Sequence, residues 1–579
     1  MCDHIDLQKE VDNYYVDPHH KILQFAHKDV SSYGKNRIPY KILINIDDIP
    51  CQCKKIKMPV AKKILHTAMN DQPIIVYNNC PKGLITAMYR QLRFTGEVNY
   101  LRVESYHQWI DKYFEKTIKT TVQGFKYSQY EWYNHLTSLS KQQEVDKFFD
   151  TIVPENVLTN NTYTLFGKRE KQIISDKMPK YRAISACPPN VKYVMGPVIW
   201  GLERAFSEVH GYKINYKGKI AKNWEDIENI YTQRYKDGYV YTMDLDGSAW
   251  DTSVKYHMKY VVFKLYDYLC SENLIHHVDP SIFKRVSTQR MRRLVAKTYI
   301  DNKTYSLADV MIDSTTFSGS PDTTFSNTLI MSTLMQFVLQ AAGYDEDDYC
   351  IDVCGDDTAI FLRHVIPTTE EAVKTIWSQL GLIPKFVKFG SYEDITFCST
   401  SVIQEGQKFK IVRQVDRLNP LGHWSEKALS YSTRQLKTYY HDLYVSMNNW
   451  TNGMPYFQMY TDMYKINSNM IADEPAEITN GKPKKCRPDP FNLYDPSNEK
   501  KYLNYGLEYA YSYEMRQSKT TISPDTVYQW LLNKYGITRG DVKDMEQHML
   551  KPHIYNYTSG GRHMDFIMTH DHIKQAANL

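Results

Sequence analysis

The apolar and polar positions change period several times along the chain, and each change predicts an element. YVYTMDLD (239–246) and YCIDVCGDD (349–357) are apolar runs that end on acids, as strands do when they run into polar turns. NTLIMSTLMQFVLQAAG (327–343) and EEAVKTIWSQLG (370–381) repeat apolar side chains at helical spacing. From about residue 425 the pattern is mostly helical, beginning with EKALSYSTRQLKTYYHDLYVSM. After the Pro/Lys-rich stretch GKPKKCRPDPF comes SPDTVYQWLLNKYG, where Ser523 predicts an N-cap, Pro524 the first helical position and Gly536 the stop. This order predicts an α+β core with sheet and helices on opposite faces. No internal repeat is present, so the fold is not a solenoid.

Composition narrows the class. The 579 residues suffice for a large core and for about three or four units of ordinary domain size. Apolar residues at 42% with 24% charged exclude a mainly disordered chain, and no run of about 18 apolar residues predicts a membrane span. The start, MCDHIDLQKEVDNYY, lacks the basic and apolar regions of a signal peptide. Ten cysteines without paired C-x-x-C spacing predict reduced thiols rather than a disulfide scaffold or zinc knuckle. The 47 tyrosines fit core packing better than base stacking.

A net charge of only +5 neither demands nor excludes nucleic acid, but its distribution is uneven. KREKQIISDKMPKYR (168–182) holds six Lys/Arg against two acids, and FKRVSTQRMRRLVAK (283–297) holds six and no acid. One basic run is usually a solvated face; two beside carboxylate motifs predict a phosphate channel.

Those carboxylates stand in YVYTMDLDGSAWDTS and VCGDDTAIF. Gly355, Asp356 and Asp357 have the composition of a surface hairpin turn, but adjacent acids between apolar runs lose water and repel unless cations compensate them. If the strand ending at Asp246 lies beside that hairpin, Asp246 and Asp356 face one another, a two-metal site in outline. Asp244 shares the strand face of Asp246, and Asp251 follows five residues later. Between them lies FSGSPDTTFSNTLI, readable alone as an ordinary helix N-terminus with Ser/Thr/Asp caps.

In this order and spacing, Asp246-x4-Asp251, Ser318-Gly319-x3-Thr323-x3-Asn327 and Gly355-Asp356-Asp357 resemble motifs A, B and C of viral RNA-dependent RNA polymerases. FGKREK (166–171) with KMPKYRAIS (177–185) resembles motif F, LGLIPKFVKFG (380–390) motif D and ITFCSTSVI (395–403) motif E. The details look most like the tombusvirus-like and nodavirus-like enzymes of positive-strand RNA viruses, with Tyr181 standing where that pattern has Pro.

The resemblance implies a closed right hand of fingers, a palm with antiparallel sheet plus helices, and a mostly helical thumb. Its divisions would be an N-terminal extension on the fingers (1–60), fingers (61–240), palm with motif A (241–270), a fingers insertion (271–312), palm with motifs B to E (313–403), and thumb with C-terminal region (404–579). It implies Asp246, Asp356 and Asp357 as ligands of two Mg²⁺, with Mn²⁺ as substitute, and Lys388 or Lys385 as general acid on pyrophosphate. Lys168, Lys171 and Arg182 would neutralise the triphosphate. Asp251, Ser318, Gly319, Thr323 and Asn327 would surround the incoming ribose and its 2′-hydroxyl. The partners implied are single-stranded RNA template, nascent RNA and ribonucleoside triphosphates, in host cytoplasm, at replication membranes through a membrane-anchored viral protein or packaged in the virion. A reverse transcriptase, which needs a bulky sugar gate, and a non-catalytic RNA-binding scaffold are the rival readings.

Overall fold

Both apolar runs that end on acids form strands, and they enter the same sheet. The computed structural model describes most of residues 98–470 and 520–549, with short strands at Lys41–Ile42, Lys62–Lys63, Ile74–Val76, Ile478–Thr479 and Lys482–Pro483. The expected extension 1–60 therefore lies outside the described residues apart from Lys41–Ile42, which pairs with Ala308 and Asp309. Most of GKPKKCRPDPF lies outside them too.

The sheet contains β1 (Ile214–Asn215), β2 (Tyr241–Gly247), β3 (Tyr349–Cys354), β4 (Asp357–Leu362) and β5 (Pro384–Gly390), in the order β5-β2-β4-β3-β1. All neighbours are antiparallel except β3 with β1. Strands β3 and β4 are buried on both faces, which is why they read as nearly continuous apolar runs. Side chains still alternate between two cores: Met243, Leu245, Ile351, Val353, Ile360 and Leu362 belong to one, and Cys350, Ala359 and Phe361 to the other.

Two helices label these faces, α1 (Trp224–Lys236) and α2 (Thr323–Ala341). Helix α2 is buried without a break from Phe325 to Leu339, because the sheet lies on one side of it and further helices on the other. On the opposite face of the sheet, Tyr231 of α1 packs 4.9 Å from Phe361, ring centre to ring centre. The meander β6 (Thr396–Phe397), β7 (Thr400–Glu405) and β8 (Lys408–Arg413) joins the same core, where Phe409 lies 4.4 Å from Tyr392. A second five-stranded sheet is ordered Lys41–Ile42, Lys303–Asp313, Met291–Ile300, Thr162–Gly167, Ala183–Ala186.

Toward the C-terminus come α3 (Thr433–Thr451), α4 (Phe457–Met470), α5 (Pro524–Tyr535) and α6 (Arg539–Met549). Helix α5 begins and ends where the sequence predicts. The Ser523 hydroxyl accepts the Thr526 N–H at 3.3 Å, Pro524 opens the first turn, and Gly536 closes the helix with φ +68. Glu405 of β7 accepts from the Ser523 N–H at 3.1 Å and the Thr526 hydroxyl at 2.8 Å, which ties α5 to the meander. Among the described residues no helix is long and apolar enough to cross a membrane.

Candidate active site

Strands β3 and β4 pair down to Cys354 with Asp357, leaving Gly355 and Asp356 as a two-residue turn. Positive φ at Gly355 (+66), with none at Asp356, is the type II′ pattern, and Gly meets it without strain. Asp356 is thus held at the tip and Asp357 at the head of β4. Strand β2 pairs with β4 through Asp244 and Ala359; the same register carried two residues on sets Asp246 against Asp357. The acids that lie about 110 residues apart in sequence meet at neighbouring strand ends.

Their charges disturb one another. Burial and the charge of Asp356 push the Asp357 carboxyl up to about 6, against a hydrogen bond from Cys398. Burial, with Asp246 close by, raises Asp356 even though its own N–H, Arg182 and Lys385 act the other way. Burial likewise raises Asp244, whose carboxylate accepts the Thr396 hydroxyl at 2.8 Å. Carboxyls pushed toward the neutral form, first by burial and then by acidic neighbours, would be favoured in their charged form by a nearby cation.

Strand β5 places the two lysines differently. Lys388 is exposed opposite Asp244, while a register irregularity between Pro384 and Phe386 lets Lys385 reach Asp246, Nζ to Oδ2 at 2.5 Å. A cation at Asp246 is therefore already part of this geometry.

The expected sugar cluster is partly assembled. Asn327 Nδ2 donates to Asp251 Oδ1 at 3.2 Å, and Asn327 Oδ1 is buried with no hydrogen-bond partner. Burial and the charge of Asp356 push Asp251 up to about 6, against Asn327, Arg182 and Lys259. Thr323 is engaged elsewhere: its hydroxyl donates to the carbonyls of Phe317 (2.6 Å) and Ser320 (2.9 Å), folding the loop ahead of α2. The Ser318 hydroxyl lies 3.4 Å from the Ala183 carbonyl.

This loop sits on the strand that follows the first basic run. Gly319 bridges Ala186, and a Cβ on Gly319 would stand 2.4 Å from the Ser185 carbonyl oxygen. Gly319→Ala must therefore push the loop off the strand. It should cost about 1–3 kcal/mol in stability, read by thermal unfolding. Wild-type stability would refute the close approach.

Within the basic run, Lys168 and Arg182 face each other across a hairpin base through an N–H to carbonyl bond of 2.8 Å. Arg182 is exposed, yet near enough to Asp251 and Asp356 to counter their upward shift. Lys171 belongs to the strand Lys171–Ile173; its side chain, like Tyr181, lies outside the described residues.

The second basic run has acidic and aromatic partners that its sequence does not show. Lys284 pairs with Asp267 (2.9 Å), Arg285 with Glu155 (2.6 Å) and Arg293 with Asp309 (2.5 Å), while Arg290 lies over the Tyr256 ring. Arg292 is buried. Its acids come from distant segments, so the run is better compensated than it looks in sequence, although these pairs are largely solvent-exposed.

The sequence reading missed three features. Asp322, taken only as a cap, is buried and accepts from Ser320 (2.6 Å), Ser326 (2.9 Å) and Tyr266 (3.3 Å). Burial alone would raise it, but Arg292 and the Ser320 hydroxyl, then Lys259 and Ser326, bring it below its ordinary value. The buried Lys259 is the second: burial and neighbouring Arg292 push its ammonium down to about 7. The third is Thr328, whose hydroxyl accepts the Gly355 N–H at 2.8 Å. Only the position of Thr328 beside Asn327 could have drawn attention to it.

Among the described residues no three His, Cys, Asp or Glu side chains converge into a closed metal cage. That is compatible with a hard cation of the Mg²⁺ type, which takes one or two carboxylates and completes its shell with water and substrate phosphates. The donors present are carboxylate oxygens, and their raised Asp356 and Asp357 fit a cation-binding role.

No curated protein matches the chain at a significant level. A family model described as viral RNA-dependent RNA polymerase matches residues 120–452, a span that contains the paired acids of β2, the loop and helix after Ser318 and the Gly355–Asp357 turn. That match covers more than half of the chain, so the protein belongs to the viral RNA-dependent RNA polymerases, nucleotidyltransferases that make RNA on an RNA template.

Proposed function

We propose that the protein replicates the genome of a positive-strand RNA virus, of the tombusvirus-like or nodavirus-like kind, by two-metal nucleotidyl transfer in a right-hand architecture. The sheet β1–β5 with α1 and α2 would be its palm, the sheet containing Thr162–Gly167 and Ala183–Ala186 part of its fingers, and α3 to α6 its thumb. The observation that carries the chemistry is the meeting of Asp246, Asp356 and Asp357 at adjoining strand ends, with Asp356 and Asp357 pushed up by burial and by their acidic neighbours.

Enzymes of this family generally use divalent metals. Bound there, such ions supply charge neutralisation for in-line attack of the RNA 3′-hydroxyl on the nucleotide α-phosphate. The chain's own groups do the rest. Asp246, Asp356 and Asp357 would hold the ions, and Arg182 with Lys168 and Lys171 would draw in the triphosphate. Lys385 is committed to Asp246, which favours Lys388 for protonating pyrophosphate.

Asn327 and Asp251 recognise the ribose, the free Asn327 Oδ1 offering an acceptor to the 2′-hydroxyl. Thr323 and Ser318, with Gly319, shape the loop ahead of α2, the helix that carries Asn327. Asn327→Ala should lower the ratio of kcat/KM for ribo- over deoxynucleotides by roughly tenfold or more. An unchanged ratio would place the sugar gate elsewhere.

The test of the whole reading is purified protein with single-stranded RNA, four ribonucleotides and Mg²⁺, without primer. Template-complementary RNA is expected. Untemplated 3′ additions would indicate a terminal transferase, RNA binding without synthesis a scaffold, and equal use of deoxynucleotides a reverse transcriptase.

A further inference from the structure

In a two-residue hairpin the closing residues pair with each other, which leaves the N–H of the first turn residue without a strand partner. Here that group is the Gly355 N–H, and it is buried. Thr328 Oγ1 accepts it at 2.8 Å and gives its own hydrogen to the Thr324 carbonyl at 2.7 Å. The bond to Thr324 ties the hydroxyl to the preceding turn of α2, so the acceptor lone pair has a fixed direction. The neighbouring residue on α2, Asn327, donates to Asp251. Consecutive helical side chains point about 100° apart, so one turn of α2 reaches the short helix Trp250–Ser253 that follows β2 and the turn after β3 at once.

From this juxtaposition we propose that Thr328 is a positioning residue that locks the Gly355–Asp356 turn to the helix reading the ribose. Sugar recognition by Asn327 and placement of the reacting carboxylates thereby share one rigid support. The inference rests on the two-metal reading of the site. It adds to that reading a residue that touches neither metal nor nucleotide and acts through the backbone of Gly355.

Thr328→Val keeps the shape and removes the acceptor, stranding the Gly355 N–H; Thr328→Ser keeps the hydroxyl. Steady-state incorporation on a fixed template should show kcat for Thr328→Val down roughly ten- to a hundredfold, the scale of one buried unpaired donor, with ribonucleotide KM within about twofold. The ribo-to-deoxy ratio of kcat/KM should fall severalfold. The rise in thermal midpoint on adding Mn²⁺ without nucleotide should shrink. Thr328→Ser should retain all of these values.

Wild-type kcat in Thr328→Val, equal losses in both variants, or a lower thermal midpoint with kcat preserved would overturn the proposal. If Thr328→Val does not fold, Thr328→Ala, which also removes the fixed acceptor of the Gly355 N–H, must show the same division between kcat and KM or the proposal fails. Asp356→Ala in the same assay keeps the two readings apart. Synthesis retained there sinks the metal assignment, whereas its loss beside a normal Thr328→Val sinks only the role of Thr328.

Discussion

Asp356→Ala will lower nucleotide incorporation by about a thousandfold or more, since several kcal/mol of charge stabilisation in the displacement step depends on its carboxylate. Asp246→Ala will do the same. The first sits at the tip of the II′ turn and the second at the end of β2, so each removes one side of the same charge cluster. Asp357→Ala, at the head of β4, should lose less, its part being to assist the other two. RNA affinity and its salt dependence should stay close to wild type in all three, because phosphate contacts come from cations and none of these substitutions removes one.

Asp246 gives a further distinction. Its substitution frees Lys385, which is paired with it at 2.5 Å, so a small gain in RNA or triphosphate affinity is expected for Asp246→Ala and not for Asp357→Ala. Incorporation on a primed template and filter-binding Kd on the same preparations measure both effects. More than a few per cent of wild-type synthesis in Asp356→Ala or Asp246→Ala would refute the metal assignment.

What could be read in the sequence was local or ordered along it. Strands that end on acids and the caps of α5 were legible because turn chemistry and side-chain period are written within a few residues, whereas the spacing of Asp246, Ser318 and Gly355 was legible only through its resemblance to a known motif order. Partnerships across the fold were not. The acids that compensate Lys284, Arg285 and Arg293 lie at Asp267, Glu155 and Asp309, and no local pattern connects them. Thr323 was legible as a member of a motif, but its engagement with the Phe317 and Ser320 carbonyls depends on how the loop turns. Thr328 looked like any residue of an apolar helix, since a buried hydroxyl acquires its meaning from what the fold brings to it.

One such partnership, fully buried, lies behind the active-site hairpin, and breaking it should be strongly destabilising. Asp352, in the middle of β3, and Arg234, on α1, are both fully buried and 2.9 Å apart. The guanidinium also donates to the Tyr212 carbonyl from Nε at 3.0 Å and from a terminal nitrogen at 2.5 Å, and it lies 4.6 Å from the centre of the Phe361 ring. Taking both ions out of water is costly, so the pair as a whole adds little net stability, but either ion left alone keeps the cost without the attraction.

Arg234→Met should therefore destabilise the protein by about 3–5 kcal/mol, seen as a drop of several degrees in apparent Tm and as poor solubility. Asp352→Leu should do likewise, with Arg234 left charged in the core. The double variant Arg234→Met with Asp352→Leu should recover much of the loss, because no charge then remains buried. Since Asp352 lies four residues before Asp356 on the strand that leads to the turn, folded preparations of either single variant should also lose synthesis. Single variants within about 1 kcal/mol of wild type, or a double variant no better than the worse single, would show that α1 and β3 are held together by apolar packing instead.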